Sequence, residues 1–207
     1  RPETCFVEVE QVVTTSNDIA QTITQSASSG QTPIFDAGIT GRDQIVVISD
    51  TGIDMNNCYF NQPSNPTSIF NINQRKVVQY IPFADGRDDV NGHGTHVNGI
   101  AAGHLSENGI TEDDDGRGNG MAKNAKIAFT DIGFVGVDAL SIPPTTDLLN
   151  TGRSTSRSYE ENAHIHSASW GSTDNRYTGQ ARAFDTFMSR NQNSDFLVVV
   201  AAGNSGT

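Results

Sequence analysis

The stretch QIVVISDTG, residues 44–52, decides the fold. Its core, Ile45–Ile48, is an unbroken run of β-branched residues, which is typical of a fully buried strand in a parallel sheet. Asp50 follows at the carboxyl end of this strand, and a glycine turn comes directly after it. Binding and catalytic sites of open α/β sheets form at the carboxyl ends of strands. Taken alone, an Asp-x-Gly at this place is more often an ordinary turn than a catalytic site.

Outward from this strand, the chain alternates between strand-like and helix-like segments. Apolar residues at three- to four-residue spacings predict helices at 17–28, at 93–105 and around 181–188. β-Branched and apolar runs predict strands at 76–81, 126–131, 165–169 and 196–202, the last of them buried. This alternation indicates an α/β fold with a mostly parallel sheet. No internal repeat or linker is visible, so we predict one domain over residues 17–207, preceded by residues 1–16 as an N-terminal extension or propeptide remnant.

A second string, NGHGTHVNG at residues 91–99, opens the helix predicted at 93–105. A histidine in the first turn of a helix experiences the positive end of the helix dipole, which favours the neutral imidazole that a general base needs. His93 is therefore a candidate base. Gly94 and Gly99 each cost a helix about 1 kcal/mol relative to alanine, which predicts that another backbone or a substrate approaches closely there.

A metal site is the alternative use of these side chains, with Asp50, His93 and His96 as ligands of a metallohydrolase. The zinc-binding helix motif needs histidines at i and i+4 with a glutamate between them, whereas these histidines lie at i and i+3 without one. We therefore predict no metal in the site and interpret His96 as a packed helix residue. His164 and His166, which flank a later strand, receive a structural role only.

Two more sequence motifs lie at the carboxyl ends of predicted strands. In VVVAAGNSG, residues 198–206, the Asn204 amide can donate to a developing oxyanion. Ser205 is a poor nucleophile candidate, because Gly206 follows it immediately and the Gly-x-Ser-x-Gly elbow fails. In SASWG, residues 167–171, the simplest interpretation is a strand end with a core tryptophan.

Taken together, the four strings resemble the motifs of the subtilisin-like serine proteases and occur in that family's order. The resemblance covers roughly residues 17–207 and is closest to the branch with a β-sandwich after the catalytic domain. It implies an α/β, three-layer subtilisin-like fold with a mostly parallel central sheet, here incomplete at its C-terminal end. It implies hydrolysis of peptide bonds in protein or peptide substrates. The implied site residues are Asp50 as the acid, His93 as the base, Asn204 as the oxyanion donor, and Ser169, Trp170 and Gly171 as the segment that pairs with substrate.

The nucleophile is where this sequence departs from the family. The family's serine lies in a Gly-Thr-Ser motif well after the oxyanion asparagine, and no Gly-Thr-Ser occurs in these 207 residues. We expect the serine in a remainder of the peptidase domain beyond Thr207. The 207-residue chain alone should then be inactive and poorly stable. The alternative is a non-catalytic scaffold or peptide-binding domain in a larger assembly, although such a domain has no need to keep Asp50, His93 and Asn204.

Calcium and disulfide bonding stay open. Many family members have a His-Pro and a nearby calcium-binding acid where this chain has Asn57–Phe60, which removes support for a tight site there. The acidic loop at 112–116 offers carboxylates suited to structural calcium, although a solvated loop is the commoner reading. No cofactor is required for the chemistry. Cys5 and Cys58 could form a disulfide or remain two thiols.

The amino-acid composition limits the classes of partner that this protein is expected to bind. The formal net charge of −11 argues against a nucleic-acid or anionic-membrane surface, since both need basic patches. No apolar run approaches the roughly 20 residues that span a bilayer. An acidic, loop-rich hydrolase of this kind is expected to be secreted or extracellular.

Overall fold

The computed structural model describes residues 20–88, 91–174 and 176–204. Its helices are α1 (Ala20–Ser26), α2 (Pro33–Asp36), α3 (His93–Ala102), α4 (Thr145–Asn150) and α5 (Gly179–Met188), with a 3-10 turn at Asn191–Asn193. Its strands are β1 (Ile45–Asp50), β2 (Val77–Pro82), β3 (Lys126–Asp131), β4 (Gly133–Phe134), β5 (Val137–Leu140), β6 (Ile165–Ala168) and β7 (Leu197–Val200). The predicted N-terminal extension at 1–16 lies outside the described residues, as does Cys5, and Cys58 is exposed.

The central sheet has five strands in the order β2-β3-β1-β6-β7, and every neighbouring pair is parallel. Because all five strands run the same way, their carboxyl ends lie along one edge. Asp50, Asp131 and Ala168 end their strands there, and Asn204 follows β7. The predicted α/β fold with a mostly parallel sheet is confirmed.

The sheet is covered on both faces. Helix α3 packs on one face, where Val97 and Ala102 join Ile48, Phe129 and Tyr80 in one apolar cluster. Strand residues alternate between faces, so Val47 points to the other side, in register with His166 and through it with Val198. On that side, the apolar residues of α4 and α5 pack together with Val198. Helix, sheet and helix therefore form the three layers.

Two predictions need correction, and two further segments hold elements that were not predicted. The predicted buried strand at 196–202 is the short β7, whose residues Leu197, Val199 and Val200 are exposed. Helix α3 ends at Ala102 rather than 105, because Gly103 leaves the helical conformation with ψ 138°. The segment 132–156, which shows little pattern in sequence, holds β4, β5 and α4. The segment 30–41 contains the one-turn helix α2.

Candidate active site

Asp50 lies at the centre of the sheet edge, at the end of β1 between β3 and β6. Its side chain is 2% exposed. One carboxylate oxygen, Oδ1, accepts hydrogen bonds from the Thr51 backbone N–H at 2.8 Å and from the His93 imidazole Nδ1 at 2.7 Å. Burial raises the pKa of Asp50, and the hydrogen bond from His93 opposes that rise. The carboxylate thus has an orienting contact to the histidine in a poorly solvated place.

His93 is the first residue of α3, and its side chain is 51% exposed. The chain enters the helix through Gly92, which adopts a left-handed conformation with φ 66°. Since Nδ1 is the nitrogen that faces Asp50, Nε2 is the ring nitrogen that a general base at this position would use. The sequence predictions placed Asp50 and His93 in one site, and the structure brings them into direct contact.

A second carboxylate, Asp88, ties the aspartate segment to the start of α3. Its Oδ1 accepts a hydrogen bond from the Thr51 hydroxyl at 2.7 Å, and its Oδ2 accepts one from the Thr95 N–H at 2.8 Å. The same Thr51 oxygen accepts a bond from the Gly94 N–H at 2.9 Å. Asp88 therefore caps a helix whose own N-cap residue, Gly92, offers no side chain. Sequence reasoning missed this residue, although an acid shortly before a helix start is a known signal.

Close backbone contact also fixes the position of α3. A Cβ placed on Gly94 would lie 2.2 Å from the Gly52 carbonyl oxygen. Only glycine at 94 therefore lets the helix start approach the turn after Asp50 this closely. The predicted close approach of another backbone is found at both glycines, since a Cβ on Gly120 would lie 2.6 Å from the Gly99 carbonyl oxygen, but a Cβ on Gly99 itself would have its nearest atom 3.9 Å away.

The Ser169–Gly171 segment follows β6 at the same sheet edge. Trp170 is half-buried, and its indole N–H donates to the Ser49 hydroxyl at 2.9 Å. A side chain placed on Gly171 would meet nothing within 4 Å, so the space beside this backbone is open. The tryptophan is thus anchored by a polar contact rather than surrounded by the core.

Asn204 is exposed and follows β7, two strands away from β1. Gly203 before it has a φ of 89°, a conformation that favours glycine and turns the chain at the sheet edge. Ser205 lies outside the described residues. The described chain therefore carries Asp50, His93, Trp170 and Asn204 along one edge of the sheet.

His96 does not join this site. Its side chain is exposed, so the interpretation of His96 as a packed helix residue is wrong, and it lines a cavity of about 1220 Å³ together with residues such as Asp54, Asn65 and Asp88. Across the described ranges, no group of three or more histidine, cysteine or acidic side chains is arranged to hold a metal ion. The Asp50, His93 and His96 set of the metallohydrolase alternative is therefore not assembled.

Two carboxylates of the acidic loop at 112–116 form ion pairs with basic side chains. Glu112 lies 3.3 Å from Arg75, and Asp114 lies 3.3 Å from Lys123. The fully buried His104 ring lies between these two carboxylates, at 3.3 and 3.5 Å. Structural calcium in this loop stays a prediction, and two of its carboxylates already contact cationic side chains.

A further buried acid was not singled out in the sequence. Asp131 ends β3 in register with Asp50, and its side chain accepts hydrogen bonds from the Tyr80 hydroxyl at 2.9 Å and the Gly133 N–H at 3.2 Å. Burial raises its pKa to about 7. Its backbone oxygen also accepts a bond from the Ala84 N–H, which helps to hold the loop that leads to Asp88.

Comparison with known proteins agrees with this fold. The model of the subtilase family matches residues 41–207. The chain is 36% identical over 197 residues to the Serine protease/ABC transporter B family protein tagA of Dictyostelium discoideum, and 34% identical over 179 residues to tagD of the same organism. These matches cover 93% and 83% of the chain but only 10% and 9% of those proteins.

A bacterial relative and a solved structure extend the comparison. The alkaline protease of Alkalihalobacillus alcalophilus is 27% identical over 206 residues, which are 99% of the chain and 45% of that protein. The structure of the CspB protease of Clostridium perfringens superposes with a TM-score of 0.56 at 21% identity, over 83% of this chain and 38% of that one. This likeness shows the fold.

The parallel α/β sheet thus carries an acid and an imidazole in contact at its carboxyl edge, an arrangement suited to general-base chemistry. The chain belongs to the subtilase family, a family of serine proteases. No helix among the residues that the structure describes is long and apolar enough to cross a membrane.

Proposed function

We propose that this protein is a serine endopeptidase that hydrolyses peptide bonds through an Asp-His-Ser triad. The observation that carries the proposal is the 2.7 Å contact between His93 Nδ1 and the buried Asp50 carboxylate. In this mechanism Asp50 holds the imidazole in the correct tautomer and stabilises the imidazolium that forms. His93 Nε2 takes the proton from the serine and returns it to the leaving amine.

The oxyanion of the tetrahedral intermediate would be bound by the Asn204 side-chain amide. The exposed position of Asn204 at the carboxyl edge supports this role, because the donor must meet an oxygen that belongs to the substrate. The second donor would be the backbone N–H of the serine itself, as in the Ser-His-Asp mechanism generally.

The substrate backbone would pair with Ser169–Gly171 as an added strand. This mode of binding uses main-chain hydrogen bonds for affinity and therefore accepts many sequences. The open space beside Gly171 supports it. Protein or peptide substrates fit such a site, and no cofactor takes part in the chemistry we propose.

The nucleophilic serine is proposed to lie beyond Thr207, in a remainder of the domain that packs against β7. Val199 and Val200 support this, since they expose apolar surface at positions whose register equivalents further into the sheet, Ile48 and Ala168, are buried. Taken alone, the 207 residues would then have no triad activity. Together with the acidic composition, membership of this family also leads us to propose a secreted or extracellular protein.

Labelling with a fluorophosphonate serine probe tests the proposed function. The full-length, natively purified protein is labelled, digested and analysed by mass spectrometry, with the His93→Ala and Ser205→Ala variants alongside. We expect one labelled serine downstream of Thr207, full labelling of Ser205→Ala, and almost none of His93→Ala. A label on Ser205 would overturn the site assignment. Absence of label on folded, propeptide-free protein would favour the non-catalytic scaffold.

A further inference from the structure

The face of the sheet opposite Asp50 carries a buried polar chain that the mechanism does not use. We propose that Ser49 and His166 are positioning residues that hold Trp170, and with it the Ser169–Gly171 segment, in the conformation that receives substrate. This inference rests on the proposed function, because it takes that segment as the one that pairs with the peptide.

The geometry places Ser49 at the centre of the chain. Ser49 precedes Asp50 in β1, so the two side chains point to opposite faces of the sheet. The Ser49 hydroxyl is fully buried and contacts the Trp170 indole N–H and the His166 Nε2, each at 2.9 Å. His166 is fully buried too, one strand away on β6. One hydroxyl on β1 thus contacts both His166, which lies within β6, and Trp170, which follows the end of β6.

Chemistry fixes the direction of one of the two hydrogen bonds. An indole N–H can only donate, so the Ser49 oxygen accepts from Trp170. The direction of the Ser49–His166 bond depends on the imidazole tautomer. In the arrangement that we propose, the Ser49 O–H donates to His166 Nε2, and His166 is neutral with its proton on Nδ1. Burial favours the same state, because it lowers the pKa of His166 to about 4.

An unpaired nitrogen of His166 makes these hydrogen-bonded contacts costly for the stability of the folded protein. His166 Nδ1 is buried and has no hydrogen-bond partner among the described residues. Buried polar atoms are almost always paired in native proteins, and exceptions concentrate where geometry serves function. An apolar residue at 166 would avoid this cost, but Ser49 would lose the acceptor that orients its hydroxyl toward the indole.

The consequence for substrate binding follows from where the indole is held. Ser49 is in register with Ala168, the last residue of β6, so the bond from Trp170 fixes the backbone just beyond the strand end. The Asp50–His93 contact lies on the other face and has its own partners. Loss of the Ser49 hydroxyl should therefore weaken substrate binding and leave the chemical step nearly unchanged.

Steady-state kinetics of the full-length protein test this with Ser49→Ala, His166→Leu and His166→Gln. For an internally quenched peptide that the unaltered protein cleaves well, we expect Ser49→Ala and His166→Leu to raise KM about tenfold, equivalent to about 1.4 kcal/mol, with kcat within about twofold. His166→Gln keeps a polar atom near the place of Nε2 and should recover most of the loss. Melting temperature and the probe-labelled fraction are measured for each variant, so that misfolded protein is not counted.

Thr130→Val is the matched control. Thr130 is in register with Ser49 on the neighbouring strand, is equally buried, and donates to or accepts from Thr151 at 2.8 Å rather than from Trp170. A generic loss of a buried hydroxyl would raise KM in this variant as well. We expect its KM to stay unchanged.

A double-mutant cycle with Trp170→Phe isolates the coupling. Trp170→Phe keeps an aromatic body but removes the N–H, so adding Ser49→Ala to it should raise KM no further. Trp170 is the sole tryptophan of the sequence, and the emission that disappears in Trp170→Phe is its own. That difference emission should shift to longer wavelength in Ser49→Ala and His166→Leu but not in Thr130→Val.

Additive effects in the cycle, an equal rise of KM in Thr130→Val, or a fall in kcat with KM unchanged would each overturn the positioning role. Failure of the proposed function looks different, because no serine would then be labelled in the unaltered protein. In that case the difference emission and the binding of a non-cleavable reduced-bond peptide replace KM. Unchanged peptide affinity in Ser49→Ala would then overturn the inference as well.

Discussion

The two halves of the central sheet differ in how completely they are covered. On the β2-β3-β1 side, Val77, Ile127 and Ile48 are fully buried under α3. On the β7 side, Leu197, Val199 and Val200 expose between 50 and 57% of their surface. Strands of the same type, rich in β-branched residues, are thus buried in the hydrophobic core on the β2-β3-β1 side but solvent-exposed at β7.

The candidate site is divided in the same way. Asp50, His93 and Asp88 belong to the covered half, where hydrogen bonds and the Gly52–Gly94 contact fix their relative positions. Asn204 belongs to the open half and Trp170 lies between them. The acid–imidazole geometry is therefore defined within this chain, whereas the oxyanion and substrate contacts we propose depend on the less covered part.

The largest effect is expected in the covered half. His93→Ala in the full-length protein should lower kcat on the order of 10⁶-fold, and Asp50→Asn about 10⁴-fold, because base and orienting acid act as a unit. His96→Ala, which changes the neighbouring histidine outside the pair, should stay within about tenfold. Peptide hydrolysis rates measure all three. Activity of His93→Ala within tenfold of the unaltered protein would contradict the assignment.

Substitution of Asn204 tests the proposed oxyanion contact in the less covered half of the sheet. Removing one oxyanion donor costs about 10²–10³ in kcat, so Asn204→Ala should lose that much with little change in KM. The loss is smaller than for His93 because base and nucleophile remain. If kcat falls less than tenfold, another group binds the oxyanion.

A pair of glycine substitutions measures how tightly the covered half is packed. Gly94→Ala should lower the free energy of unfolding by about 1–3 kcal/mol, since its Cβ would clash with the Gly52 backbone. Gly99→Ala, in the same helix but with open space, should be neutral or stabilise by up to about 1 kcal/mol. Urea unfolding distinguishes the two. Equal effects would mean that α3 does not depend on the close contact.

Threonine substitutions at one valine in each half compare how much stability depends on burial there. Val47→Thr buries a hydroxyl without a partner and should cost about 1–3 kcal/mol. Val199→Thr at the exposed position would cost less than about 0.5 kcal/mol in a surface that stays open. In the full-length protein we expect both to cost about the same, because the proposed remainder covers β7. A negligible cost of Val199→Thr there would show that β7 stays exposed.

The smallest net effect is expected in the pH dependence of stability, because two buried groups, His166 and Asp131, contribute slopes of opposite sign that largely cancel between pH 4 and 6.5. The pKa of His166 is lowered to about 4, so the unfolded chain binds more protons between pH 6.5 and 4 and stability falls as pH drops through that window. The pKa of Asp131 is raised to about 7, so the folded protein binds more protons between pH 4 and 7 and stability falls as pH rises. Each slope is at most about 1.4 kcal/mol per pH unit.

Unfolding free energies between pH 4 and 7 check these signs. His166→Gln should remove the loss toward acid, so that stability then falls as pH rises from 4 to 7, whereas Asp131→Asn should remove the loss toward neutrality, so that stability then falls as pH drops from 6.5 to 4. A profile that His166→Gln leaves unchanged would mean that the buried imidazole does not titrate differently in the folded and unfolded states.

Local patterns were sufficient for much of this architecture. The β-branched run before Asp50 predicted β1, and the His-Gly-Thr-His string predicted the start of α3, because both depend on the chemistry of adjacent residues. The short β4–β5 hairpin and α4 were missed, since Gly133–Leu140 and Thr145–Asn150 are too short to show a period. The burial of β7 was wrongly predicted, because an apolar strand sequence does not say whether anything covers it.

The sequence alone determined the family, the order of the strands and helices that carry the motifs, and the identity of Asp50, His93 and Asn204 as candidates. Only the tertiary structure decided that Asp88 caps α3, that a Cβ fits at Gly99 but not at Gly94, and that Ser49 joins Trp170 to His166. The physical reason is distance along the chain. Ser49 and Trp170 are 121 residues apart, and hydrogen bonds between such residues exist only after parallel strands have brought their ends to one edge.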